Sequence, residues 1–143
     1  MIFIESAKDA LVRAMNGANG LNPPLMVDDV TLGSPEVWIQ GDTNTRISVT
    51  ADSEFYTGSD TFYYNRLRIY DFFAGHSIPG VAADYPNVLA AITAFYNKFQ
   101  LPHDPNELVN SAISPGATTI TLQGRSSSLM FVPNLQVILP FSG

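Results

Sequence analysis

The segment from Asn44 to Ile69 limits this chain's possible folds more than any other. Asn44-Thr45-Arg46-Ile47-Ser48-Val49-Thr50-Ala51 alternates polar and apolar residues, and Phe62-Tyr63-Tyr64-Asn65-Arg66-Leu67-Arg68-Ile69 is rich in aromatics and arginine. Period-two alternation marks a half-buried strand. The two runs therefore predict an antiparallel hairpin, joined across Phe55-Tyr56-Thr57-Gly58. Ile47, Val49 and Ala51 fall on one face, and Arg46, Ser48 and Thr50 on the other. The connection Asp52 to Asp60 exceeds a tight hairpin, so part of it is expected to extend the strands. Carried onward, the second strand places Phe62, Tyr64, Arg66, Arg68, Tyr70 and Phe72 in one row, with Tyr63, Leu67 and Ile69 opposite. Aromatic residues and arginine dominate interface hot spots, because they combine large area with directional polar tips. That row is the predicted assembly interface. The competing readings are burial beneath the chain's own helix and a ligand-binding groove.

The flanking sequence supplies helices and further strands. Ser6 is placed to cap a helix, with Asp9 in its first turn and Asn16-Gly17 as a stop. Gly20 to Met26, with Pro23-Pro24, reads as extended. Val27–Leu32 and Val37-Trp38-Ile39 read as short strands. Val88, Leu89, Ile92, Phe95, Tyr96 and Phe99 recur at helical spacing, predicting a long amphipathic helix over Pro86–Phe99. Asp104 to Leu108 reads as one further turn, and Thr118–Leu122, Leu129–Val132 and Leu135–Leu139 as strands. Strands in runs predict an α+β fold: a mainly antiparallel β-sheet packed against the one long amphipathic helix, with a short N-terminal helix. The expected organisation is one structural domain over 1–143, with a helix and extended arm at 1–40 and the α+β core at 41–143.

Composition restricts the function classes. Charged residues are only 14% of the chain, against a usual ~25%. Low charge beside 11% aromatics suits a surface partly covered by partners. The net charge of −6, with seven scattered basic residues, argues against nucleic-acid binding. With no cysteine and two histidines, disulfides and the usual zinc sites are not expected. Met1-Ile2-Phe3-Ile4 meets Glu5 too soon for a signal peptide, and no apolar run reaches ~18 residues.

Candidate catalytic groups are few. His103-Asp104 lacks a placed nucleophile, so a capping Asp104 beside an exposed His103 is preferred. His76-Ser77 with Asp71 contains triad residue types without the strand-to-helix elbow that presents a serine. Asp52, Glu54 and Asp60 do not match calcium-loop spacing. No catalytic, cofactor or metal residue is assigned, and no enzyme activity is expected.

Asn44–Ala51, Tyr56-Thr57-Gly58-Ser59, Tyr63-Tyr64-Asn65-Arg66-Leu67, and Tyr85-Pro86-Asn87-Val88-Leu89 through Leu101-Pro102 and Asp104 together resemble small virion structural proteins of tailed bacteriophages. The resemblance covers roughly residues 42–110. It implies a non-enzymatic structural component assembled in the host cytoplasm, a homo-oligomer in the particle. Its partners would be other copies and other virion proteins, with no membrane or nucleic acid. Tail, connector and capsid decoration are all compatible. The alternative is an adhesion or carbohydrate-binding module, with Trp38 and Tyr56 or Tyr64 stacking on sugars.

Overall fold

A computed structural model describes residues 5–143, so Met1–Ile4 and the signal-peptide expectation lie outside them. The fold is α+β with antiparallel sheets, and the chain divides into two compact units between Arg66 and Leu67. The expected boundary after residue 40 falls instead between two paired strands of one unit.

The first unit spans Ser6–Arg66. Helix α1, Ala7–Asn19, starts at Ser6, whose hydroxyl accepts from the Asp9 N–H at 3.1 Å. It runs past Asn16-Gly17 to a left-handed Gly20, φ 59°, where the absence of a Cβ removes the usual penalty. Strands β1 (Val30–Leu32), β2 (Glu36–Gln40), β3 (Thr43–Asp52) and β4 (Thr57–Tyr64) form one sheet. The centre is β3, which pairs with β1 and β2 along one side and with β4 along the other. Residues 27–29, expected as strand, make a 3-10 turn instead.

Strand β3 reaches Asp52 and β4 begins at Thr57, so the hairpin does extend into its connection. Ser53 closes the four-residue turn: its N–H donates to the Tyr56 carbonyl at 2.9 Å and its hydroxyl accepts from Tyr56 N–H at 3.0 Å. The alternation in β3 holds, with Ile47 and Val49 buried and Ser48 and Thr50 exposed. Leu11, Val12 and Met15 of α1 are also buried, and Met15, Leu25, Val49 and Phe62 line one cleft on that side of the sheet.

The predicted continuation of the second strand through Phe72 is not formed. The β3–β4 ladder ends at Thr45 opposite Tyr64. The Asn44 side chain then takes both main-chain groups of Arg66, accepting from its N–H at 2.9 Å and donating to its carbonyl at 3.0 Å. This amide imitates one more ladder rung. Replacing Asn44 by alanine removes both bonds and is expected to cost about 2 kcal/mol, readable by urea unfolding.

The second unit holds Leu67–Gly143 together with Glu5, whose N–H donates to the Pro102 carbonyl at 3.0 Å. Leu67 pairs with the 130–132 segment: its N–H donates to Met130 and its carbonyl accepts from Val132. Helix α2, Ile69–Phe73, follows, and its i, i+4 residues Ile69 and Phe73 are both fully buried. That burial stabilises a helical turn where strand alternation had been expected. Helix α3 is Val88–Lys98, 11 residues, shorter than the predicted 86–99 span. Asn87 is its cap, accepting from Ala90 N–H at 2.9 Å, so Pro86 precedes the helix. Its buried face of Val88, Ala91, Ile92, Phe95 and Tyr96 joins a core with Phe73, Leu122 and Phe131. It belongs to the unit of the two-stranded sheet β5 (Thr119–Gln123) and β6 (Gln136–Pro140), not to that of the hairpin.

The end of α3 is a Schellman motif: Leu101 N–H donates to the Tyr96 carbonyl and Gln100 N–H to that of Asn97. Gln100 carries φ 54°, a left-handed conformation that costs a side-chain-bearing residue about 1 kcal/mol. Gln100→Gly is therefore expected to raise the unfolding free energy by roughly that amount.

Candidate interaction surface

Of the six predicted interface residues, none shares a strand face beyond the first two. Phe62 and Tyr64 lie on the β4 face shared with Ile47 and Thr45, their rings stacked with centroids 5.9 Å apart, and both are half-buried. Arg66 is 2% exposed, and its Nε donates to Thr45 Oγ1 at 3.0 Å. Arg68 is the residue before α2, and Tyr70 stands exposed on that helix. Phe72 packs edge-on against Phe73, Phe131 and His103. The row breaks because Tyr64 ends the ladder and a helical turn rotates Tyr70 and Phe72 to different sides. Substituting Arg66 would therefore act first on stability.

Among the described residues, the longest run of exposed apolar side chains in the first unit lies on β2 instead. Val37, Trp38 and Ile39 are consecutive and all exposed, Ile39 by 81%. In a strand, neighbouring side chains point to opposite faces, so three in a row leave apolar groups on both. The β2–β3 register shifts between Val37 and Gln40, and among the described residues no further strand pairs with β2. Trp38 is the one member with a charged neighbour: the Arg46 guanidinium lies 3.7 Å from its ring centroid. Arg46 in turn contacts Glu36 Oε2 through Nε and Nη2, each at 2.8 Å. The sequence signal for this surface is an apolar triplet, which strict alternation would not produce.

In the second unit a cleft of about 390 Å³ is bordered by Tyr70, Ala74–Ser77 and Val137–Pro140. Tyr70 and Ile138 are its large exposed apolar members, at 62% and 64%.

The groups with catalytic chemistry have the following surroundings. His103 is half-buried between the rings of Tyr96 and Phe72, not exposed as expected; burial lowers its pKa, and the Glu5 carboxylate partly offsets this. Asp104 caps the 3-10 turn Pro105–Glu107, accepting from Asn106 N–H at 2.9 Å. Burial, then the Asp104 and Glu107 charges, holds the Tyr96 phenol well above its ordinary value. His76 packs on Phe95 and Phe99, and no hydrogen bond joins it to Asp71 or Ser77 among the described residues. Asp52, Glu54 and Asp60 do not converge, and no described cluster of three such ligands could hold a metal ion. No described helix is long and apolar enough to cross a membrane.

Glu107 and Ser128 are the groups that composition did not single out. Glu107 Oε1 accepts from the Ser128 hydroxyl at 3.1 Å and from the Leu129 and Met130 N–H groups. Ser128 Oγ, fully buried, accepts from Phe131 N–H at 2.9 Å. A hydroxyl so enclosed and so bonded holds a turn; it does not face a substrate. The turn also needs Gly124, since a Cβ there would sit 2.9 Å from the Phe131 Cβ.

One family, described as a family of unknown function (DUF7941), matches residues 1–140. The chain belongs to DUF7941. No curated protein and no solved structure matches it. In this DUF7941 chain the β2 triplet holds Ile39, the most exposed large hydrophobic residue described.

Proposed function

We propose that this chain is a non-enzymatic structural component of a tailed-phage particle, present in many copies and docked through the apolar end of β2. The observation that carries the reading is the run Val37-Trp38-Ile39, exposed on an edge strand. An unpartnered edge with bulky apolar side chains is a liability unless something covers it. Covering one such side chain fully is worth about 1.5–3 kcal/mol, so the triplet is large enough to act as an interface anchor. The resemblance of residues 42–110 to virion proteins and the low charge of the chain support the same reading. Its partners would be further copies or neighbouring proteins of the particle. The interface thus moves from the Phe62–Phe72 row to β2, with Tyr70 as a candidate second contact.

Ile39→Asp tests it. Surface substitutions away from packed groups usually change stability by less than ~0.5 kcal/mol. The variant is expected to melt as the parent does and to sediment as a smaller species at matched concentration. Equal sedimentation profiles at concentrations where the parent associates would oppose this docking surface.

A further inference from the structure

The outer face of the four-stranded sheet differs in chemistry from the apolar end of β2. Across β3 its rungs are Glu36–Arg46–Tyr63, then Ser48–Thr61, then Thr31–Thr50–Ser59. These rungs carry hydroxyls, one guanidinium, one carboxylate and one phenol, and no aliphatic residue. A concavity of about 250 Å³ lies among Ser34, Glu36, Arg46, Ile47, Ser48 and Thr61. Trp38 on β2 and Tyr63 on β4 flank Arg46 from opposite sides, each 42% exposed.

We propose that this face binds a neutral hexose unit of a polysaccharide, held by Arg46 and Glu36 beside Tyr63. Three features select that class. Arg46 spends Nε and Nη2 on a single oxygen of Glu36. Nη1 and Glu36 Oε1 take no other partner among the described residues, leaving a donor beside an acceptor, the pair that adjacent sugar hydroxyls require. The Glu36 carboxylate cancels the guanidinium charge, which disfavours phosphate or sulfate. The exposed Tyr63 ring offers an apolar face to the C–H side of a pyranose, Trp38 backs the Arg46 guanidinium that covers one of its faces, and the surrounding Ser34, Ser48 and Thr61 hydroxyls suit the sugar's rim. The inference goes beyond the assembly reading; it shares Trp38 with the docking triplet and is tested at Glu36 and Tyr63, which lie outside that triplet.

Trp38 is the only tryptophan, so its fluorescence reports on the site directly. The full chain would be titrated separately with maltohexaose, cellohexaose and mannohexaose. At least one is expected to give a saturable change. Glu36→Gln and Tyr63→Ala should each weaken it about tenfold, with the melting temperature unchanged, because each removes an exposed contact to the sugar and none to the core. Three titrations without saturation would overturn the proposal. So would equal affinity in both variants, or a signal that tracks protein concentration and disappears in Ile39→Asp, which would assign Trp38 to a contact between copies.

Discussion

Phe73→Ala is expected to lower the unfolding free energy of the Leu67–Gly143 unit by about 3–5 kcal/mol, the range for removing a large ring from a packed interior. The Phe73 side chain is fully buried. Its ring meets Phe72 at 4.8 Å, Phe95 at 5.3 Å, Phe131 at 6.1 Å and Tyr96 at 6.3 Å between centroids. Alanine leaves a void that these four rings cannot all fill, since each is fixed by other neighbours. A loss of this size is a large part of a typical domain's stability. Chemical denaturation followed by near-ultraviolet circular dichroism reads it. A loss below ~1 kcal/mol would show that the core is not organised around this ring.

The second large effect is at Glu107. Glu107→Ala deletes the acceptor for the Ser128 hydroxyl and for two main-chain N–H groups, and is expected to cost about 2–4 kcal/mol. Glu107→Gln keeps a carbonyl oxygen in place and should cost much less. The pair also predicts a pH dependence. Burial raises the Glu107 pKa, although its bonds to Leu129, Ser128 and Met130 pull the other way, and the Asp104 charge adds to the rise. A carboxyl whose folded value lies above its unfolded one binds more protons when folded. Its contribution is complete below the ordinary carboxylate value and is lost as pH rises through the raised one. The parent should therefore lose stability relative to Glu107→Gln as pH climbs through that window. Parallel melting curves for the two proteins across it would refute the assignment.

Glu107 also explains why one predicted strand is missing. Leu129–Val132 has strand composition, but the N–H groups of Leu129, Met130 and Phe131 are taken by Glu107 and Ser128. A ladder cannot use donors that side chains already occupy. No local pattern signals this, because Glu107 lies more than twenty residues upstream. The end of β4 is similar: Asn44, more than twenty residues away, takes the main-chain groups of Arg66 just past the last rung. What could be read locally was the half-buried alternation of Ile47 and Val49, the Ser6 cap, the Asp104 cap and the helical stripe of Phe95 and Tyr96. Each depends on neighbours within one turn or one strand. The short helix Ile69–Phe73 was hidden because Leu67 and Ile69 fit a strand as well as Ile69 and Phe73 fit a helix. The surface was the least legible part: exposure of Val37, Trp38 and Ile39 follows from which strands flank β2, and the triplet itself was the only hint.

The central claim is that the chain enters a particle in many copies through β2. Quantitative mass spectrometry of purified particles carrying either the parent chain or Ile39→Asp tests it most directly. Burying a carboxylate where an isoleucine anchor belongs removes more than ~1.4 kcal/mol, a tenfold change in occupancy. The account expects the parent in many copies per particle and the variant depleted at least tenfold, with equal soluble levels and equal melting temperatures. A parent chain absent from particles, or a variant incorporated at the parent's copy number, would contradict it.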